Sequence, residues 1–252
     1  MKRLFDIVVA ATALVALAPV IGVILALVWL QDRHSPFYVA SRIGRGGRPF
    51  RMVKIRSMIV RAERSGVYST STDDNRITPL GRVIRRCKLD ELTQFWNVLI
   101  GDMSLVGPRP TVALDVALYT DLERSDLGLR PGITSLAAIV FADEAEIIAG
   151  SADPDLDYMQ KIRPWKSRMN RLYAERATLL DDVQVVALTG LAIVKRRAAL
   201  DGCARMLAAM DAPAELVTVA RRRDTLHPVP PPGRPDPISA AEVIAARRHV
   251  TA

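Results

Sequence analysis

The sequence predicts an α+β, predominantly helical fold: an N-terminal, proline-broken re-entrant membrane helix packed with a small cytoplasmic domain that contains a β-hairpin. Three observations predict it. Residues 7–30 are uncharged and hold one proline, Pro19, near their middle. Residues 36–55 hold two runs of β-forming residues around Gly44-Arg45-Gly46-Gly47, a hairpin pattern. Downstream apolar residues, Leu92 to Ile100 above all, recur at helical spacing. The division that follows is a membrane helix over 1–33, a cytoplasmic domain over 34–200 and a basic, proline-rich, disordered tail over 201–252.

The apolar segment admits three readings. Ala16-Leu17-Ala18 imitates a signal-peptide cleavage site, but Pro19 would follow the cut and the apolar run continues far beyond it. A spanning helix fits the length, since about 20 apolar residues cross a bilayer. Positive charge, however, lies on both flanks: Lys2 and Arg3 before, then Arg33, Arg42, Arg45, Arg48, Arg51, Lys54 and Arg56 after. The positive-inside rule prefers both flanks on the cytoplasmic side. A helix broken at Pro19, where a backbone donor is missing, meets that preference by entering and leaving through one leaflet. Each half would measure about 17 Å at ~1.5 Å per residue. The residues favour this reading over the spanning one without removing the latter.

The elements then follow in order. Pro36–Ile43 and Pro49–Ile55 form the hairpin, and Ser65–Asn75 reads as a polar loop. Thr78-Pro79 is a helix start, with threonine as the cap and proline at the first helical position; this helix carries Arg82, Arg85 and Arg86. A second helix begins near Asp90 and is stopped by Gly101. Its amino terminus would hold Asp90 and Glu91, where free amides favour negative charge. Tyr158–Leu180 reads as a helix that Pro164 kinks or delays. Val183–Val194 is too short to span a membrane and reads as a core helix. Six prolines between Pro228 and Pro237, among few apolar residues, give the tail its disordered character.

Composition narrows the partners. A charge of +8, from 35 Lys+Arg against 27 Asp+Glu, favours a polyanionic partner: nucleic acid, an anionic lipid surface or a phosphorylated substrate. Aromatics at 5% offer few stacking platforms for single-stranded nucleic acid. Cys87 and Cys203 form no spacing motif, so a reduced compartment is the default. His34, His227 and His249 are far apart, with no zinc-type pattern.

Chemistry concentrates at Leu89-Asp90-Glu91, set between Arg85-Arg86-Cys87-Lys88 and Leu105-Val106-Gly107-Pro108-Arg109-Pro110. Adjacent carboxylates ringed by cations suit a site where a carboxylate attacks or holds phosphorus while cations balance the charge. The bland reading, a helix cap followed by a first-turn acid, stays open on these residues alone. Arg109 between two prolines is held on a stiff loop, which suits bidentate phosphate binding. Arg130-Pro131-Gly132 repeats an arginine on a tight turn. A non-enzymatic basic membrane adaptor is the competing function. It gains nothing from carboxylates that face its own anion.

The order of motifs carries a resemblance. It runs from Lys2-Arg3-x-Phe5-Asp6 through the proline-broken segment to Phe50-Arg51-Met52-x-Lys54-x-Arg56-Ser57-Met58. It continues with Arg85 to Leu92, Gln94-Phe95-Trp96-Asn97, Gly101-Asp102-Met103-Ser104-Leu105-Val106-Gly107-Pro108-Arg109-Pro110 and Arg130-Pro131-Gly132-Ile133-Thr134. Over roughly 2–190 the chain resembles the bacterial sugar transferases, the monotopic polyprenyl-phosphate phosphoglycosyl transferases. The resemblance implies transfer of a sugar-1-phosphate from a UDP-sugar to a membrane polyprenyl phosphate, undecaprenyl phosphate, with release of UMP. It implies Asp90 as nucleophile through a covalent phosphosugar intermediate and Glu91 as the residue associated with Mg²⁺. Lys54, Arg85, Arg109 and Arg130 are implied as substrate-binding cations. It further implies a re-entrant helix, residence at the cytoplasmic face of the bacterial inner membrane and contact with membrane lipid; the acidic dyad beside rigid arginines argues for no nucleic-acid partner, and a homo-oligomer stays open. Thr93 replaces the proline usual after Asp-Glu-Leu, a change expected to loosen the dyad. Ser135-Leu136-Ala137-Ala138 departs from the usual Gly-Trp-Ala-Gln, which bears on sugar preference.

Overall fold

The computed structural model of the protein describes residues 1–62 and 74–251. The polar loop read at 65–75 lies outside them, apart from its last two residues. The chain is mostly helical with four short strands among the described residues. Helix α1 (Lys2–Asp32) is one assigned helix with Pro19 inside it. The hairpin pairs β1 (Phe37–Ile43) with β2 (Pro49–Ile55) antiparallel, Ala40 opposite Met52 and Tyr38 opposite Lys54. Period-two alternation therefore places Met52 and Lys54 on one face, and Met52 and Ala40 are buried there.

Helix α2 (Pro79–Arg86) starts as the sequence predicts, with the Thr78 hydroxyl accepting from the Gly81 amide at 2.9 Å. A 3₁₀ turn (Leu89–Glu91) and α3 (Gln94–Ile100) follow, and α3 ends on Gly101 at φ 96°, a left-handed conformation that favours glycine. The helix expected to begin near Asp90 is thus two pieces. Lys88 at φ 55° turns the chain before the dyad, and α3 begins only after Thr93. The dyad does not head α3, so the dipole support expected from that helix is absent.

Strands β3 (Ser104–Val106) and β4 (Gly132–Thr134) pair in parallel. They meet where Gly107 and Gly132 touch backbone to backbone: a Cβ on Gly132 would lie 2.1 Å from the Gly107 nitrogen. Between them run α4 (Ala113–Ala117) and α5 (Asp121–Ser125), and beyond them the short α6 (Leu136–Val140), α7 (Glu144–Ile147) and α8 (Pro154–Asp157). A π turn at Tyr158–Ile162 leads into α9 (Arg163–Arg176), with Pro164 in its first turn, so the proline delays the helix. Helix α10 (Leu179–Val194) is separate, started by a Thr178–Asp181 capping box. The main core joins β3, α3, α6, α9 and α10 through Val98, Leu105, Leu136, Phe141, Met169 and Val185.

The tail differs from the expectation of disorder. Helix α11 (Arg196–Ala209) buries Ala199, Cys203 and Leu207 completely in the main core, and α12 (Ala214–Ala220) packs beside it. The proline-rich stretch then crosses the body as a strap. Prolines donate no backbone bond but keep their carbonyls, and those of Pro230 and Pro232 accept from Arg168 and Thr120 at 2.7 Å each. The strap leads to α13 (Ala240–Thr251), where buried Ile238 and Val243 meet Met159. Arg247 pairs with Asp153 and Asp155 at 2.8 and 2.6 Å. Sparse apolar residues suffice here because Ile238 and Val243 are fully buried against Met159.

Both ends of α1 are fastened to this body. At the start Lys2 pairs with Asp182 at 2.6 Å, and Arg3 donates to the carbonyls of Val98 and Leu99 at the end of α3. Asp6, buried, accepts from the Ser104 hydroxyl and the Leu105 amide. At the other end Ile24 and Val28 pack on Ile55 and Ile84, and Asp32 takes both terminal nitrogens of buried Arg56 at 2.6 Å. No residue from 11 to 20 is buried, and Val15 is 77% exposed. The helix is held at its ends and bare around Pro19.

Candidate active site

The dyad lies in the turn between α2 and α3, and two elements from elsewhere in the chain reach it. Lys54 on β2 places its Nζ 3.6 Å from Asp90 Oδ2 and 3.6 Å from Glu91 Oε1. Arg109, on the loop after β3, donates from Nη2 to Glu91 Oε1 at 2.6 Å and from Nη1 to Oε2 at 3.4 Å. Lys54, Asp90 and Glu91 are each less than one-fifth exposed. Arg85 and Lys88 act on Asp90 by charge from the adjoining turn. Arg130 stands at the entry to β4 and is not among the partners of the dyad; its backbone carbonyl lies against Gly107 instead.

The two carboxylates are electrostatically unlike. Burial pushes the Asp90 carboxyl above its ordinary range, and Lys54 only partly offsets this. Burial also acts on Glu91, but there the charges of Arg109 and Lys54 and the Arg109 hydrogen bond prevail and hold it at about 2. Burial, then the charge of Arg109, lowers Lys54. Glu91 raises Arg109. Glu91 is therefore a locked anion that orients Arg109. Asp90 is the more basic carboxylate, with only one long contact to a cation.

The turn is fastened to β2 by Thr93, expected from the sequence to loosen the dyad, and by Asn97, to which the sequence assigned no role. The Thr93 hydroxyl donates to the Val53 carbonyl at 3.0 Å. Asn97 accepts from the Val53 amide at 3.0 Å and donates to the Arg51 carbonyl at 2.7 Å. Thr93 and Asn97 are one helical turn apart and buried, so both reach the same strand. Polar residues at that spacing within an apolar run were the available signal. Threonine in place of proline adds a bond to β2 that proline has no group to make, the reverse of the expected loosening. Arg42 on β1 also faces the cluster, near enough for its charge to act on Lys54 and Arg109 to act on it.

Among the described residues no group of three or more His, Cys, Asp or Glu is placed to hold a metal ion. The dyad supplies two carboxylates. That set fits Mg²⁺, which binds one or two carboxylates and takes its remaining ligands from substrate phosphates and water.

Comparison with known proteins places the chain in a family. A family model described as bacterial sugar transferase matches residues 1–196. The chain is 32% identical over 203 residues to the exopolysaccharide production protein ExoY of Sinorhizobium fredii, covering 75% of this chain and 83% of that protein. It is 44% identical over 109 residues to a putative undecaprenyl-phosphate N-acetylgalactosaminyl 1-phosphate transferase of Bacillus subtilis, covering 43% of this chain and 61% of the relative. It is 33% identical over 172 residues to a UDP-glucose:undecaprenyl-phosphate glucose-1-phosphate transferase of Caulobacter vibrioides, covering 66% and 64%. The chain thus spans less than two thirds of the Bacillus and Caulobacter proteins.

Proposed function

The chain belongs to the bacterial sugar transferase family, and on that premise we propose that it moves a sugar-1-phosphate from a UDP-sugar to undecaprenyl phosphate. The observation that carries the reading is the unequal dyad: a basic, partly freed Asp90 beside a Glu91 locked by Arg109. Relatives named for undecaprenyl-phosphate transfer and exopolysaccharide production support the acceptor and the setting.

In the first step an Asp90 carboxylate oxygen attacks the phosphorus that bears the sugar. The bond from that phosphorus to the bridging oxygen breaks, and UMP leaves with its electron pair. In the second step a phosphate oxygen of the lipid attacks the same phosphorus, and the Asp90 oxygen departs as carboxylate. Lys54 and Arg109 lower the repulsion between a carboxylate and a diphosphate, and Arg85 adds charge from the preceding helix. Asp90 is ionised before attack, so no general base is required. Glu91 would hold Mg²⁺, which when bound would supply neutralising charge to the departing phosphate.

The acceptor is a lipid, so the site belongs at a membrane surface, here the cytoplasmic face of the inner membrane. The fastening of α1 supports re-entry rather than crossing. The helix would be about 46 Å long if straight, and charged pairs bind both of its ends to one body. A crossing helix would carry one of those ends, and the body attached to it, through the bilayer. The bare stretch around Pro19 is the part free to enter lipid. Cysteine labelling before Ile7 and after Leu30 tests this: both flanks react from the cytoplasmic side, and reaction from opposite sides rejects it.

The reaction is tested with protein in nanodiscs, undecaprenyl phosphate, Mg²⁺ and a panel of UDP-sugars, following UMP. Wild type releases UMP with at least one donor, and Asp90→Asn loses at least a thousandfold in rate. Equal rates for the two proteins would refute Asp90 as nucleophile.

A further inference from the structure

A narrow cavity is lined by Arg109, the partner of Glu91, and has no role in the transfer as described. It lies between the hairpin turn after β1, the loop that carries Arg109, the α5 region and α9. Its enclosed part is small, about 60 Å³, and opens into a wider mouth. The turn roofs it and is pinned in place by Arg45, whose Nε donates to the Gly128 carbonyl at 2.9 Å. Arg109, Tyr119, Glu123, Asp126, Ser167 and Asn170 are the main polar groups of its lining, beside apolar side chains such as Leu127 and Leu129.

We propose that this cavity receives the sugar of the donor, with Asn170 and Asp126 binding its hydroxyl groups. The inference rests on the transferase reading and adds to it the place where the sugar is recognised. Connectivity is the first reason. Arg109 both holds Glu91 and lines the cavity, so the group lodged there is a close neighbour of the attacked phosphorus. The sugar is bonded to that phosphate, whereas uridine is one phosphate further away.

The chemistry of the lining is the second reason. The Asn170 side chain makes no hydrogen bond among the described residues, and it is partly buried at the cavity wall. The nearest cation to Asp126 is Arg171, at 3.5 Å, so acceptor capacity remains. The Ser167 hydroxyl donates to Glu123 at 2.7 Å and keeps lone pairs to accept. Sugar hydroxyls donate and accept, and so satisfy carboxylates and amides alike. Uracil presents two carbonyl acceptors and one donor, a poor match for carboxylates. The Tyr119 ring is already covered on one face by Arg163 at 5.4 Å.

The test compares wild type, Asn170→Leu, Asn170→Ser and Asp126→Asn with the UDP-sugar that wild type uses and with an epimer. Inhibition by UMP, which carries uridine and phosphate without sugar, is measured in parallel. Asn170→Leu is expected to raise the donor KM at least tenfold or to reverse the preference between epimers, with UMP inhibition within twofold of wild type. Asn170→Ser gives a smaller shift in the same direction and serves if the leucine variant does not fold. Unchanged KM and preference in folded variants overturn the proposal. So does a parallel loss of UMP inhibition, which would assign the cavity to the nucleoside. If wild type releases no UMP from any donor, the transferase reading fails first and takes this inference with it.

Discussion

Arg109→Gln removes the guanidinium from Glu91 while keeping a polar side chain on the loop. Glu91 is held at about 2 against an ordinary value of 4.5. At ~1.36 kcal/mol per unit, that depression corresponds to about 3 kcal/mol of preference for the charged form in the folded protein. Arg109 is 40% exposed, so solvent screening reduces its share, and about 2 kcal/mol is the working figure. For a chain of this size that is ~3–8 °C in Tm. The sign of the pH dependence is specific. In wild type the lowered carboxyl contributes stability above pH 4.5, and this is lost as pH falls toward 2. In the variant burial dominates and Glu91 rises, so its charge is a liability at pH 7 that protonation relieves. The difference between the two proteins should be largest at pH 7 and shrink toward pH 4. Thermal unfolding of nanodisc-held protein across that range reads it directly, and Glu91→Gln added to the variant should restore part of the loss. A difference that stays constant from pH 7 to pH 4 would refute the ion-pair reasoning.

Three further outcomes follow from the geometry. The acid limb of kcat/KM should lie above the ordinary carboxylate range, because burial raises Asp90 and activity is lost as that group protonates; the alkaline limb should lie below the ordinary lysine value, because Lys54 is lowered. Limbs at unperturbed carboxylate and lysine values would contradict this, with the coupled cluster titrating as a unit. Gly132→Ala should cost at least about 3 kcal/mol, since the added carbon meets the Gly107 backbone at 2.1 Å and neither strand has a side chain to move aside; a folded variant with wild-type Tm rejects the close approach. Asp32→Asn, far along the chain from the dyad, should lower transfer several-fold and move the alkaline limb, by freeing the strand that carries Lys54; unchanged kinetics would show that the clamp serves stability alone.

Local chemistry was legible in the sequence wherever neighbours in the chain decide the outcome. The hairpin at Phe37–Ile43 and Pro49–Ile55, the Thr78-Pro79 start and the Gly101 stop each depend on a few adjacent residues. The approach of Lys54 and Arg109 to the dyad was also legible, because motif order carries information about distant pairing. What escaped depends on contacts across the fold. Thr93 and Asn97 matter through β2, about 40 residues earlier. The tail looked disordered by composition, yet its few apolar residues meet sites made by α8 and the π turn. Arg130 reads in sequence as an arginine on a tight turn, and the backbone contact of that turn with Gly107 could not be read from residue order.

The two strands that bring cations to the dyad are also the two that hold the membrane helix. β2 carries Lys54 and, two residues on, Arg56 grips Asp32 at the end of α1. β3 leads to Arg109 and, at its Ser104–Leu105 start, grips Asp6 near the beginning of α1. A force on either end of α1 therefore acts on a strand within a few residues of a site cation. On the proposed transferase reading, in which the acceptor is a lipid phosphate, this wiring has a direct use: it couples the position of α1 to the strands that carry Lys54 and lead to Arg109. The alternative, a site carried on loops with the helix as a separate tether, would leave the dyad free to rise and fall relative to the headgroups. Buried Asp6 and Arg56 rule out that slack, because letting either end move strands an ionised group away from both water and its partner.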